Sequence, residues 1–504
     1  MRITLLRTVA ALPLGAGLLT GCGMGGTDVP GELRVVVQSE PTSMNPVLAP
    51  HLDRRVLNAV FDPLVHVDEE THELTDQGLI TSWSQETPTR WVLSVRPGVR
   101  FHDGETLTPE SVAFTILENR DNPGSIQGAF YDVVESAVPR AASSVVVTTT
   151  EPYSPLPYLL ATTSALPVEH YRSVGAEGFA MDPVGTGPFT LEALRSGQAV
   201  EVFRNEDYWR GTPPLERIRF SWSADGSARN NLLRSGEADF VFDLPPQFVE
   251  SVGEADGYEV FTGESDYRLV LFFDATKAPF DDPVLREAVS KAINRDGLVK
   301  AVFQGTGAVA SNQFIGDLLD EPRELQATYS VSEARRILRE SGKAGTRITL
   351  GHTMGKSPGD SQVGPAVAGM LEEIGFEVEE SGQEYGRFRE LRDSGQFDAF
   401  IFETLPIFRH PDALASYYVG GGAAVQTCPE PKRYDALMAT ALAAVTPAEG
   451  DAAWAAVEEL AVVEHKCLVP VTRSVQAYGL DEDVAGFVST PVDVLPDYFL
   501  LSKG

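Results

Sequence analysis

Side chains that could do chemistry are plentiful in this chain, but few are spaced to do it. Carboxylates sit side by side at Asp281/Asp282, Glu372/Glu373 and Glu458/Glu459. A general acid and a general base must converge on one substrate, whereas adjacent residues on a helix do not face each other. These pairs read as solvated charge. His66 and His72 flank Asp68, Glu69 and Glu70, which are ligand types for a divalent cation at no spacing that zinc sites use. A solvated hairpin accounts for them. The chain has no G-x-S-x-G, no H-E-x-x-H and no C-x-x-C, so the usual signals of a serine hydrolase, a zinc protease and a thiol redox enzyme are missing. A secreted hydrolase is disfavoured, and neither a cofactor nor a resident metal is expected.

Cys22 has a different setting. Arg2 and Arg7 precede an uncharged run from Val9 to Leu19, which ends in Leu18-Leu19-Thr20-Gly21-Cys22. A basic start, a short apolar run and small residues are the layout of an export signal. Pro13, Gly15 and Gly17 break the run, which is shorter than the roughly 20 apolar residues of a membrane span. Leu19-Thr20-Gly21-Cys22 resembles the bacterial lipobox, in which the cysteine sulfur is acylated and the preceding peptide bond is cut. The expectation is a signal peptide over 1–21 and a glycine-rich, lipid-anchored tether over 22–31. Two acyl chains hold a protein at a membrane where one does not. Cys428 and Cys467 then remain as an even pair in a compartment where disulfides persist. They read as one disulfide, with two buried thiols as the alternative.

A chain of 504 residues exceeds what one ordinary core organises, so two or three domains are expected. Its 72 acidic residues outweigh 40 basic ones, a formal net charge of −32. With no basic patch interleaved with aromatics, that surface repels phosphate backbones and excludes nucleic acid as a partner.

The elements that must position any site follow from periodicity. Glu32 to Gln38 is a β-branched run between Pro30-Gly31 and Pro41, a buried strand, and Leu52 to Leu64 has helical spacing. Thr108 and Pro109 start a helix as cap and first residue. Asp182 to Phe189 (DPVGTGPF) concentrates Pro and Gly, so its backbone takes positive φ or passes close to something. Tyr267 to Asp274 (YRLVLFFD) is a strand buried on both faces. From Asp282 onward helices and strands alternate, the pattern of parallel α/β pairing, and Cys467 to Thr472 is a further strand.

The order of punctuated segments resembles one family, the large extracytoplasmic solute-binding proteins of ABC importers that carry oligopeptides, dipeptides and nickel chelates. The matching segments include ELRVVVQSEPTSMNP, VFDPLV, FHDGETLTPESV, PVGTGPF, NEDYWRGTPPLERIRF, LLRSGEADFV, FFDATKAPFDDPVLREAVSKAINRDGLV and LEEIGFEVE, in sequence along almost the whole mature length. The resemblance implies an α/β, two-lobed periplasmic-binding-protein type II fold of the large cluster C kind, with an extra inserted subdomain and a hinge of two crossings. Lobe I would comprise 32–60, 182–266 and 473–504, with 61–181 as its inserted subdomain. Lobe II would be 273–466, and 267–272 with 467–472 would be the crossings. The implied partners are an importer's permease and ATPase, and the implied solute is a peptide or peptide-like molecule caught between the lobes of a monomer, a metal chelate being the alternative.

In the peptide-binding branch, lobe II presents a tryptophan and an aspartate shortly before a proline, the aspartate pairing with the peptide's α-amino group. The matching stretch here is FIFETLPIFRHPD, Phe400 to Asp412. Counted from Pro411, the tryptophan position falls on Leu405 and the aspartate position on Ile407 or Phe408. An ammonium buried without a counter-charge is costly, so this departure argues against ordinary di- or oligopeptide binding unless Glu403 or Asp412 supplies the charge from a neighbouring position. Arg409 offers a bidentate fork for a carboxylate, with a surface ion pair as its alternative. His410 keeps a metal chelate open, although a histidine beside a proline in a turn is commonly structural. Phe408, Tyr417 and Tyr418 could stack on solute, and so could Tyr385. From lobe I the resemblance brings Glu40, Thr42 and Met44 toward the cleft, Met44 also being a common core filler.

Overall fold

Two long strands, Tyr258–Phe273 and Leu468–Asp481, run antiparallel along most of their length at the centre of the molecule. In the computed structural model the described residues are 31–68, 71, 73–319, 325, 329–354, 359–422, 427–488 and 496–504. The leader, Cys22, the tether as far as Pro30, and Glu69, Glu70 and His72 lie outside them.

The two strands sit in the middle of one 11-stranded mixed sheet, in which the short strand Ala308–Ala310 pairs with Leu468–Asp481 off the main path. On one side of the pair lie Phe240–Val241, Glu32–Val37, Arg217–Trp222, Ala199–Arg204 and Phe189–Arg195. On the other lie Ala399–Thr404, Arg347–Thr353 and Glu377–Gln383. The last three pair in parallel with one another, as alternating helices and strands require. Between Phe61 and Asp182 the chain builds a separate four-stranded antiparallel sheet, from Ile80–Thr87, Arg90–Val95, Ser144–Thr149 and Val134–Arg140 in spatial order.

Tyr258–Phe273 is buried on both faces only in its second half, and there its side chains divide between two cores. Val270 and Phe272 pack with Phe400, Tyr418, Cys428 and Cys467. Leu269, Leu271 and Phe273 pack with Ile348, Leu350 and Ile401. Cys428 and Cys467 form a disulfide inside the first of these cores, their Cα atoms 5.0 Å apart. The strand begins earlier than 267, because the polar stretch Tyr258 to Glu264 pairs with Val475 to Asp481. Glu259, Gly263 and Glu264 are weak strand formers, and cross-strand pairing overrides that preference.

The stretch expected to be helical over 52–64 holds only a 3₁₀ turn, His51–Asp53, and one helical turn, Arg54–Leu57. Pro63 disfavours helix at Asp62, and the backbone just beyond the helix is claimed by the Pro/Gly-rich crossing. Gly187 N–H donates to Val60 O at 2.9 Å and Phe189 N–H to Ala59 O at 2.8 Å. A Cβ on Gly187 would lie 2.6 Å from Val60 O, so close approach is what the glycine permits there. The helix Pro109–Asp121 starts as its sequence predicts, with the Thr108 hydroxyl accepting from Ser111 N–H.

Candidate functional site

Where the long strands cross, the sheet opens into a cleft of about 580 Å³, within the range of ligand pockets. Arg55, Asp243 and Gln38 wall it on one side; Tyr385, Arg389, Arg392, Glu403 and Tyr417 wall it on the other; Tyr267 and Ser474 to Ala477 form its floor. Most of its charges are already paired. Arg55 makes a two-pronged bond to Asp243, with Nη2 donating to Oδ1 at 3.1 Å. Arg392 Nε donates to Asp393 at 2.8 Å. Glu403 Oε1 accepts from the Ser474 hydroxyl at 2.8 Å, which holds its carboxylate against the crossing strand. Arg389 lies across the Tyr385 ring, 5.9 Å from its centroid.

Of the residues singled out from sequence, Glu403 and Tyr417 stand in this cleft, together with Tyr385 and Tyr418. The others are placed elsewhere. Phe408 is fully buried and meets Phe130 edge-on at 5.0 Å, so an apolar side chain leaves the cleft for a core. Arg409 Nε is 3.4 Å from Asp266 Oδ2; the buried carboxylate, pushed upward in pKa by desolvation, takes Arg409 and Arg268 as its counter-charges. His410 packs between Tyr158 and Trp454 and does not line the cleft; desolvation lowers its pKa to about 3, so it is neutral. Glu40 accepts from Gly197 N–H at 3.0 Å. Thr42 donates to Asp53 through both its N–H and its hydroxyl, and Met44 is core. These partners lie outside the loop 40–45, and none of the three side chains lines the cleft. Asp412 is buried too, accepting from Tyr153 and Ser416.

A smaller cavity of about 180 Å³ adjoins the cleft, sharing His51 and Ile407 with it. Arg54, Phe61, Tyr158, Pro188, Trp209 and Phe408 supply much of its wall, and Arg409 also reaches it. Asp62 forms part of the lining and accepts three hydrogen bonds, from Tyr208 at 2.8 Å, Trp209 at 2.8 Å and Thr186 at 2.9 Å. Burial raises its pKa to about 6. Tyr208, Trp209 and the Pro/Gly crossing are thus scaffold built around one carboxylate.

A family model described as bacterial extracellular solute-binding proteins, family 5 Middle, matches residues 76–426. The chain belongs to this family. Among curated relatives of this family 5 protein, glutathione-binding protein GsiB of Salmonella typhi is 26% identical over 349 residues, covering 66% of this chain. The match spans 65% of that relative's own length. Among solved structures, the dipeptide binding protein from Pseudoalteromonas sp. SM9913 in complex with Met-Leu superposes with a TM-score of 0.81 at 19% identity, covering 94% of this chain and 100% of that one. DppA from Helicobacter pylori in complex with peptide STSA gives 0.79 at 19% identity, covering 94% and 98%. At those identities the likeness is one of fold: this family 5 chain has the two-lobed architecture of the periplasmic binding proteins.

Arg55, Asp243, Arg389, Arg392 and Gln476 were not among the residues picked from sequence, although all line the cleft of this family 5 protein. Arg389 and Arg392 lie on an exposed-looking, charge-rich helix, Tyr385–Asp393, where nothing local separates them from solvated arginines. A signal did exist for Arg55: consecutive arginines in HLDRRVLNAV interrupt an otherwise apolar stretch.

Proposed function

We propose that this protein is the extracytoplasmic receptor of an ABC importer, held to the outer face of the cytoplasmic membrane by acylated Cys22. In this reading it captures a peptide or peptide-like solute and hands it to the permease, performing no chemistry on it. The supporting observation is the cleft itself. It is walled from both halves of the sheet and floored by the crossing strands, so a solute there touches both halves and favours the closed arrangement over the open one. Glutathione for GsiB, Met-Leu for the Pseudoalteromonas protein and the peptide STSA for DppA support the same solute class. Glu403 is the counter-charge for a solute ammonium, and Tyr385 and Tyr417 offer aromatic faces to its side chains.

The test is to incubate the purified protein with a defined mixture of di- to tetrapeptides and glutathione, remove free solute, and identify retained material by mass spectrometry. Retention of intact peptides, weakened in Glu403→Gln, is the expected result. Cleaved products in place of intact peptides would overturn the receptor reading.

A further inference from the structure

The segment that carries the four-stranded sheet is built onto the half of the large sheet that contains Glu32–Val37. Gly187 N–H and Phe189 N–H bond to Val60 and Ala59, His102 N–H donates to Gly185 O at 2.9 Å, and Asp62 takes its donors from Thr186, Tyr208 and Trp209. The same segment also reaches across to the other half, which contains Ala399–Thr404. Phe130 meets Phe408 edge-on at 5.0 Å and Tyr158 faces His410 at 5.2 Å. Tyr153 donates to Asp412 at 3.0 Å, and Ser154 N–H donates to Leu442 O at 2.9 Å. Phe408 and Ala413 belong to the first half's apolar core, whereas Leu414, Ala415 and Tyr418 belong to the core around the disulfide. The helix Asp412–Tyr418 is therefore shared between two cores.

That sharing bears on how the halves can move. They are joined by the crossing strands, whose pairing slips between Glu264 and Arg268, and such an irregularity bends a strand. Arg409 faces Asp266 inside the slip. Rotation about this point separates the halves only if Phe408 and Asp412, both buried, leave their partners. Exposing a packed ring and taking a hydrogen bond from a buried carboxylate both oppose that motion. Phe130, Tyr153, Asp412 and Leu442 line neither the cleft nor the smaller cavity, so their contacts form without solute. Ile407 and Ala413 do line the cleft, which puts the contact at its rim.

We propose that the loop 405–412 is a latch, which seats Phe408 and Asp412 against Phe130 and Tyr153 and so holds the two halves closed in the absence of solute. This rests on the receptor reading and specifies how that receptor's site is gated. Apparent affinity falls with the fraction of molecules in the binding-competent arrangement, so a broken latch weakens solute binding from residues that solute does not touch.

The test is small-angle scattering on protein dialysed free of carried-over solute, with and without the mixture of di- to tetrapeptides and glutathione. Tyr153→Phe removes the buried hydrogen bond and Phe130→Ala the edge-on ring, while Val145→Ala, buried in the four-stranded sheet, controls for lost stability. Wild type and Val145→Ala are expected to keep one radius of gyration with or without the mixture. The double variant Tyr153→Phe/Phe130→Ala is expected to be larger without the mixture, to contract when it is added, and to bind it about tenfold more weakly, as when the closed fraction falls to about a tenth. If the double variant does not fold, Tyr153→Phe alone is expected to show a smaller expansion, and a radius equal to wild type would overturn the latch. An unliganded double variant no larger than wild type would also overturn it, as would a wild type that contracts on adding the mixture as much as the variant does. Binding of the mixture by neither protein would overturn the receptor reading for these solutes, while the comparison of unliganded radii still decides the latch.

Discussion

Tyr153 donates its hydroxyl to Asp412 Oδ2 at 3.0 Å, joining residues 259 positions apart in the chain. Tyr153 belongs to the segment that carries the four-stranded sheet, whereas Asp412 opens the helix Asp412–Tyr418 beside the cleft. Both are buried, and burial raises both pKa values, so the phenol remains a donor throughout the physiological range. Close by, Ser154 N–H donates to Leu442 O at 2.9 Å and Phe408 enters the opposite core. The loop between Thr404 and Asp412 is therefore a plug, held by apolar burial and one buried polar pair.

Tyr153→Phe keeps the ring and removes the donor, leaving Asp412 with the Ser416 hydroxyl at 2.5 Å. A buried acceptor that loses a partner costs about 1–3 kcal/mol. Urea unfolding of the variant should show a lower midpoint by that amount, with an unchanged m-value. An unaltered midpoint would mean that the contact does not stabilise the plug.

The Cys428–Cys467 disulfide closes a loop with a sequence separation of 39. Constraining a loop of that size stabilises by about 4 kcal/mol through unfolded-chain entropy. The Cys428→Ser/Cys467→Ser double variant should therefore melt well below wild type, and reductant should lower the wild-type melting temperature without affecting the variant. A wild-type transition insensitive to reductant in denaturant would contradict the bond.

Glu458, which reads from the sequence as solvated charge, is instead buried, and accepts from Phe314 N–H at 2.6 Å and Ile315 N–H at 2.8 Å. Burial nevertheless dominates and raises its pKa from 4.5 to about 7, with Asp317 adding to the rise and Arg268 opposing it. The folded state thus holds the proton more tightly than the unfolded chain. The stability this adds is fully present below about pH 4.5 and is lost as pH rises through about 7, a loss on the order of 3 kcal/mol. Denaturation profiles between pH 5 and 8 should slope downward in wild type, and less steeply in Glu458→Gln. Parallel profiles would show that Glu458 is already ionised when folded.

The acylation of Cys22 that we propose predicts that cells fed a labelled fatty acid yield labelled, membrane-associated protein. Cys22→Ser should be unlabelled and recovered in the soluble fraction. Label on the Cys22→Ser protein would place the lipid elsewhere.

Much of the fold is legible in the residues because it rests on local rules. The Thr108-Pro109 helix start, the β-branched run Glu32 to Val37, and the doubly buried Leu269 to Phe273 each encode their own conformation through capping, branching and burial. The two central strands are longer than they read, since Tyr258 to Glu264 owes its extended form to pairing with Val475 to Asp481. The helix expected over 52–64 shrinks to a turn for the complementary reason, its backbone being taken by the Gly185–Phe189 crossing from more than 100 residues away.

The site divides in the same way. By itself the sequence determined the family resemblance, because that depends on residue type in a fixed order, and it named Glu403 and Tyr417, which line the cleft. Only the tertiary structure decided that Arg409 faces Asp266, that His410 packs between Tyr158 and Trp454, and that Arg55 is spent on Asp243. Whether an arginine is spent or available depends on which carboxylates the fold brings within a few ångströms of it, and that is a property of packing rather than of spacing along the chain.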